Sequence, residues 1–235
     1  MDAHELIEAY KHGRRDFKGV DLKAVNLKES HLRGINLEGA NLRLANLGKA
    51  NLIQASLKSA DMGMASLGEA RLVGADMSEA NLSGANLSRA LLKDATLVNA
   101  ILTGVNLSFT DLTMVHLPRS LSRANLKWVL LAHTDLSGND LSFADLTGAD
   151  LTGADLGPGQ NEAATDLSGA NLHIATLVMT DLRKANLSEA NLRGALMFGA
   201  ILAMANLRGA KVTNEQLSSA GSLKGATMPD GTIYA

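Results

Sequence analysis

The chain contains no cysteine, which excludes disulfide staples, thiolate metal sites and a cysteine nucleophile. Aromatic residues make up only 3% of it, too few for a core built on rings. Charge of one sign is lacking as well: 22 basic residues nearly cancel 24 acidic ones, for a formal net charge of −2. No global field therefore attracts nucleic acid or imitates it. No apolar run is long enough to span a bilayer, and the N-terminus lacks the apolar core of a signal peptide. The expectation is a soluble cytoplasmic protein with neither a membrane nor a nucleic acid as its partner.

What the chain does have is a period of five. From Met77 to Leu92 it reads MSEANLSGANLSRALL, with Met77, Leu82, Leu87 and Leu92 at every fifth place. Ala75, Ala80, Ala85 and Ala90 sit two residues before each of these. The pattern runs from near Phe17 to about Leu217. On a helix, steps of about 100° would scatter these leucines around the whole circumference. In an Ala-Asn-Leu triplet read as a strand, the outer residues face one way and the middle one the other. The last two residues of each repeat must then bend the chain. Glycine takes the second bend position at Gly34, Gly39, Gly74, Gly84 and Gly104, among others, where a type II turn needs positive φ. One short strand and one bend per repeat make a coil with corners, with leucine and alanine facing the axis.

The A-(D/N)-L-x-x pattern resembles the pentapeptide-repeat family along nearly the whole chain. The resemblance implies an all-β solenoid, a right-handed quadrilateral β-helix with about twenty residues per coil. Leucine in nearly every central slot is similar to cyanobacterial members, including one associated with heterocyst differentiation, more than to the phenylalanine-rich quinolone-resistance branch. The shared features are Glu5-Leu6 leading to Gly13-Arg14-Arg15-Asp16-Phe17, two loops, and the closing Met228-Pro229-Asp230-Gly231-Thr232-Ile233. What the resemblance implies is a regulatory protein–protein contact.

Residues 1–14 read as a capping helix, with Asp2 as cap, Glu5 as its reciprocal partner, and Ala3, Leu6, Ile7 and Tyr10 as an apolar stripe. Residues 15–217 are the repeat region, and 218–235 a C-terminal cap or tail. Two gaps interrupt the period, near 118–123 and 157–165. Leu117 and Leu126 are nine apart, and Leu156 and Leu167 eleven. If each loop stands in for one side of the square, both emerge on the same side, about 10 Å apart along the axis.

No catalytic set emerges, so the chain is read as a non-enzyme without cofactor or metal. His4, His12, His31, His116, His133 and His173 are scattered, with no ligand-like pairing. Asp and Asn in the slot before leucine suit local bonds to backbone donors better than a calcium ladder. Repeat phase does single out exposed apolar residues: Val178, Met179, Leu196, Phe198 and Ile201 should face outward, with Val178 stacked against Phe198. A contiguous patch of this kind marks a contact or a covered surface. The tail, with Leu223, Ile233 and Tyr234, and a partner protein both stand open as its cover. The candidate partner-binding residues are therefore Arg119, Arg123 and Glu162 on the loops, and Val178, Met179, Phe198 and Ile201 on the patch. The function expected is a regulatory scaffold binding a partner protein, as a monomer or weak homodimer. The alternative is a DNA mimic occupying a type II topoisomerase, which the near-neutral charge disfavours.

Overall fold

The computed structural model describes residues 1–235, the Asn161 side chain apart. The chain divides into two compact units, Met1–Pro118 and Arg119–Ala235. In the first, helix α1 (Ala3–Lys11) opens the unit. Asp2 accepts from the Glu5 backbone N–H and the Glu5 carboxylate accepts from that of Asp2, the reciprocal cap expected from the sequence. Leu6 is fully buried, the Tyr10 hydroxyl donates to the Arg33 carbonyl at 2.7 Å, and Arg15 stacks over the Tyr10 ring. The helix is thus fastened to the first coils by its apolar stripe, as a lid on the leucine stack would be.

Beyond it every repeat contributes a single β-bridge per side. Asp16, Asp21, Asn26 and His31 pair in parallel with Asn36, Asn41, Asn46 and Asn51, and the same register climbs to Thr96 and His116. Four sides of five residues give twenty per coil, so each unit is a four-sided β-helix. A corner every five residues leaves room for one paired residue per side, which is why the pairing takes the form of bridges. Leu87, Leu92, Ala85 and Ala90 are buried with their counterparts in other coils. Each interior leucine contributes about 1.5–3 kcal/mol by leaving water.

The second bend position carries the positive φ expected of it, at Gly34, Gly39 and Gly74 among others, and not on glycine alone. Leu44, Lys49 and Met64 hold φ of 58–59° at the bend position, so positive φ alone does not demand glycine. A second reason for glycine lies one coil earlier. A Cβ placed on Gly148 would meet the Trp128 ring at 2.5 Å, and one on Gly153 would meet the His133 ring at 2.6 Å. One on Gly169 would meet the Phe143 ring at 2.6 Å. Large corner side chains lean along the stack, and glycine leaves them a seat.

In the second unit side one carries Ser120, Asp140, Asp166, Asn186 and Asn206, and side two Asn125, Asp145, Asn171 and Asn191. Side three carries Leu130, Asp150, Thr176 and Leu196, and side four Asp135, Asp155, Asp181 and Ile201. Neither gap replaces a side. Ser120–Ala124 is an ordinary repeat with Leu121 buried, so the expected loop at 118–123 is a one-residue shortening just before it. The segment 157–165 is an insertion at the corner between sides four and one, since Asp155 and Asp166 occupy consecutive sides. It holds a 3₁₀ turn, Gln160–Glu162, and packs Gly159 against Gly138. Buried Thr165 pins it, accepting from the Gly138 N–H at 2.8 Å and donating to the Gly157 carbonyl at 2.9 Å. The insertion and the Arg119 approach still share a location: each leads into side one, two coils apart.

The repeats are interrupted before Leu217. Helix α2 (Asn214–Ser219) takes the place of a side-three repeat, capped by Thr213 and Gln216. Gln216 Nε2 donates to the carbonyls of Leu192 and Ala195, and Leu217 is buried as the helix's inward anchor. The ladder resumes at Ser222 and Thr227, and Ile233 turns back to pair antiparallel with Thr227.

Candidate interaction surface

Outward positions are held locally. Asp and Asn before each leucine accept from the backbone N–H two residues on, as Asp150 does from Thr152 at 3.0 Å and Asn86 from Ser88 at 3.1 Å. Asparagines add a second rung between coils: Asn171 Nδ2 donates to Asp145 Oδ1 at 3.2 Å, and Asn191 Nδ2 to Asn171 Oδ1 at 2.9 Å. These bonds account for both residue types without a cation. Among the described residues no group of three or more His, Asp or Glu is placed to hold a metal ion.

The loop candidates do not converge. Arg123 sits at an ordinary corner with its guanidinium 5.2 Å from the centre of the Phe143 ring. Glu162 is ion-paired with Lys184 of the following coil, which holds its carboxyl below the usual range. Arg119 is exposed, and its charge acts on Asp135. Hydrogen bonds from Ser137 chiefly lower that carboxyl, burial opposes them, and Arg119 adds to the lowering. Among the described residues, neither arginine forms an ion pair with Glu162.

The apolar candidates do converge. Phe198 is 70% exposed, Met179 62%, Leu196 59% and Ile201 38%, while Val178 is half-buried. Leu196 lies on side three, Phe198 and Met179 at the next corner, and Ile201 on side four. The Met179 N–H donates to the Phe198 carbonyl at 2.9 Å, so the two residues are neighbours across coils. Met204, 62% exposed, extends the band to the following corner. Sequence reasoning passed over Met204, although its bend position marks it as outward. The tail does not cover the band: Ile233 and Tyr234 are themselves exposed, and Thr227 stacks on Asn206 of side one.

Trp128, Leu130 and Phe143 are exposed near the start of the unit, and their phase would have revealed them too. Charge separates the two ends. Residues 134–166 carry Asp135, Asp140, Asp145, Asp150, Asp155, Glu162 and Asp166 with no lysine or arginine. Residues 190–228 carry Arg193, Arg208, Lys211 and Lys224 against Glu215 alone.

Comparison with known proteins settles the family. The family model for pentapeptide repeats matches in 8 copies, over residues 21–58, 35–72, 50–89, 80–117, 120–157, 165–202 and 175–214. The chain belongs to the pentapeptide-repeat family. Among solved structures it is similar to HetL, a pentapeptide repeat protein involved in heterocyst differentiation regulation from the cyanobacterium Nostoc sp. strain PCC 7120. Identity is 34%, 100% of each chain is covered, and the TM-score is 0.51. It is also similar to alr5209, a family member from the same Nostoc strain, at 32% identity. That match covers 54% of this chain and 96% of the other, with a TM-score of 0.36. QnrB1, a plasmid-mediated fluoroquinolone resistance protein, shares 19% identity over 77% of this chain and 81% of its own, with a TM-score of 0.37. Comparison with curated proteins gives no match. Among the described residues no helix is long and apolar enough to cross a membrane.

Proposed function

We infer that this member of the family is a non-enzymatic interaction module that binds a partner protein and regulates it, in the manner of a cyanobacterial differentiation regulator. The observation that carries the reading is the full-length likeness to HetL at 34% identity. A rigid scaffold with outward slots free of packing duty suits the role. The same reading takes each coil as right-handed, the chain as a cytoplasmic monomer or weak homodimer, and the contact as one that uses neither membrane nor nucleic acid. Its candidate contacts are Arg119, Arg123 and Glu162 beside side one, and the band of Val178, Met179, Phe198 and Ile201.

The DNA-mimic alternative has one observation in its favour, the wholly acidic stretch 134–166. A groove-occupying mimic needs that sign along its length, and the basic stretch 190–228 interrupts it. The direct test of regulation is expression of the intact chain from an inducible promoter in Nostoc sp. strain PCC 7120, followed by heterocyst counts on nitrogen starvation. An altered frequency is expected. An unchanged frequency at confirmed expression counts against the regulatory reading, and protection of gyrase from a quinolone would favour the mimic.

A further inference from the structure

We propose that the band from Leu196 to Met204 is a docking surface for an acidic, amphipathic segment of a partner protein. The proposal rests on the reading of the chain as an interaction module and names the chemistry of what it binds. Two observations support it independently.

The first is apolar exposure without a cover. Leu196, Phe198, Met179 and Met204 are each more than half exposed; the first three meet at one corner of the β-helix, and Met204 holds the next corner beyond Ile201. Phe198 is the most exposed large apolar residue of the chain, at 70%. A contiguous apolar patch of this kind is where soluble proteins make contacts, and an exposed aromatic at its centre is the usual energetic anchor.

The second is the charge around it. Among the described residues Arg183 is paired with Asp181 and Lys184 with Glu162, yet Arg193 and Lys224 form no ion pair. They lie to either side of the band: Arg193 just before the Leu196 side, and Lys224 one coil beyond Met204, whose N–H donates to the Lys224 carbonyl at 2.9 Å. Unspent cations flanking an apolar strip complement a segment that alternates carboxylates with apolar side chains.

An anionic membrane would share those charges, but a bilayer presents one plane. The band turns from side three through a corner onto side four and reaches the next corner, which fits a partner that wraps an edge. Nucleic acid would use the cations and leave the apolar strip idle.

The test uses the intact chain and a fluorescein-labelled acidic amphipathic peptide of glutamate, leucine and phenylalanine, read by fluorescence anisotropy. Saturable binding is expected, weakening as salt rises. Phe198→Ser should weaken it about tenfold or more, as should Arg193→Glu combined with Lys224→Glu. Both variants should keep the parent melting curve, because the altered side chains face water. Arg71→Glu with Lys93→Glu, two exposed residues of the first unit given no part in binding, should leave the affinity unchanged.

Four results would each overturn the proposal. These are no binding of the acidic peptide, equal binding of a peptide with lysine in place of glutamate, or binding indifferent to Phe198→Ser. The fourth is capture instead by phosphatidylcholine–phosphatidylglycerol vesicles or by a second copy in sedimentation. A chain that fails here and still alters heterocyst frequency keeps the interaction reading and loses this surface.

Discussion

Between Thr134 and Asp166 the second unit carries only acidic charge, whereas between Ala190 and Met228 Arg193, Arg208, Lys211 and Lys224 face Glu215 alone. The interiors of these stretches are nearly the same. Leu146, Ala149 and Leu151 are buried in one as Leu202, Ala205 and Leu207 are in the other. The comparison teaches that in this fold the inward slots specify the architecture and the outward slots are left to function. The acidic stretch satisfies its carboxylates locally. Burial raises the Asp140 carboxyl, but bonds from Ser142 and Ser120 leave it below the usual range. Among the described residues, the basic stretch leaves Arg193 and Lys224 without an ion pair, on either side of the band that holds exposed Phe198.

The largest expected effect erases the difference between the stretches. Leu146→Ala and Leu202→Ala each remove a fully buried leucine and should each cost about 2–5 kcal/mol in chemical denaturation. A large loss in one and none in the other would mean the two interiors are not equivalent.

A middle-sized effect separates corners by what lies beneath them. Gly104 and Gly148 share a φ of 67°, but an added Cβ meets nothing within 4 Å at Gly104 and the Trp128 ring at Gly148. Gly104→Ala should cost about 1 kcal/mol, the lower end of what an L-residue pays in the left-handed region. Gly148→Ala should cost more and shift the emission of Trp128, the single tryptophan. Equal costs with unchanged emission would remove the role assigned to corner glycines.

The smallest effect is expected from Asp150→Asn. Asparagine makes the same bond to the backbone N–H two residues on, as Asn86 does to Ser88, so stability should change by less than about 0.5 kcal/mol. A large change would show that the acidic stretch has a structural use for its charge.

Much of this was readable from residues alone. The five-residue phase places Leu87 and Ala85 inside, Asp2 and Glu5 at a helix start, and Phe198 outside, because each follows from local periodicity or capping. The interruption of the repeats was hidden: Leu207, Val212 and Leu217 keep the period of five, and α2 uses Leu217 as its own anchor. The Thr213–Gln216 capping pair was the available signal. The insertion at 157–165 was visible as a gap, but its place at a corner depends on Asp155 and Asp166 taking consecutive sides, which spacing alone does not decide. The pairing of Glu162 with Lys184 joins residues separated by a coil and an insertion, and nothing local announces it.

The most direct test of the account is to locate the contact. A photo-crosslinkable acidic amphipathic peptide, bound to the intact chain, irradiated and mapped by mass spectrometry, reports which outward slots it touches. The account predicts crosslinks in the segment from Arg193 to Met204 and at Met179. Crosslinks within residues 134–166, or centred on Arg119 and Arg123, would contradict it.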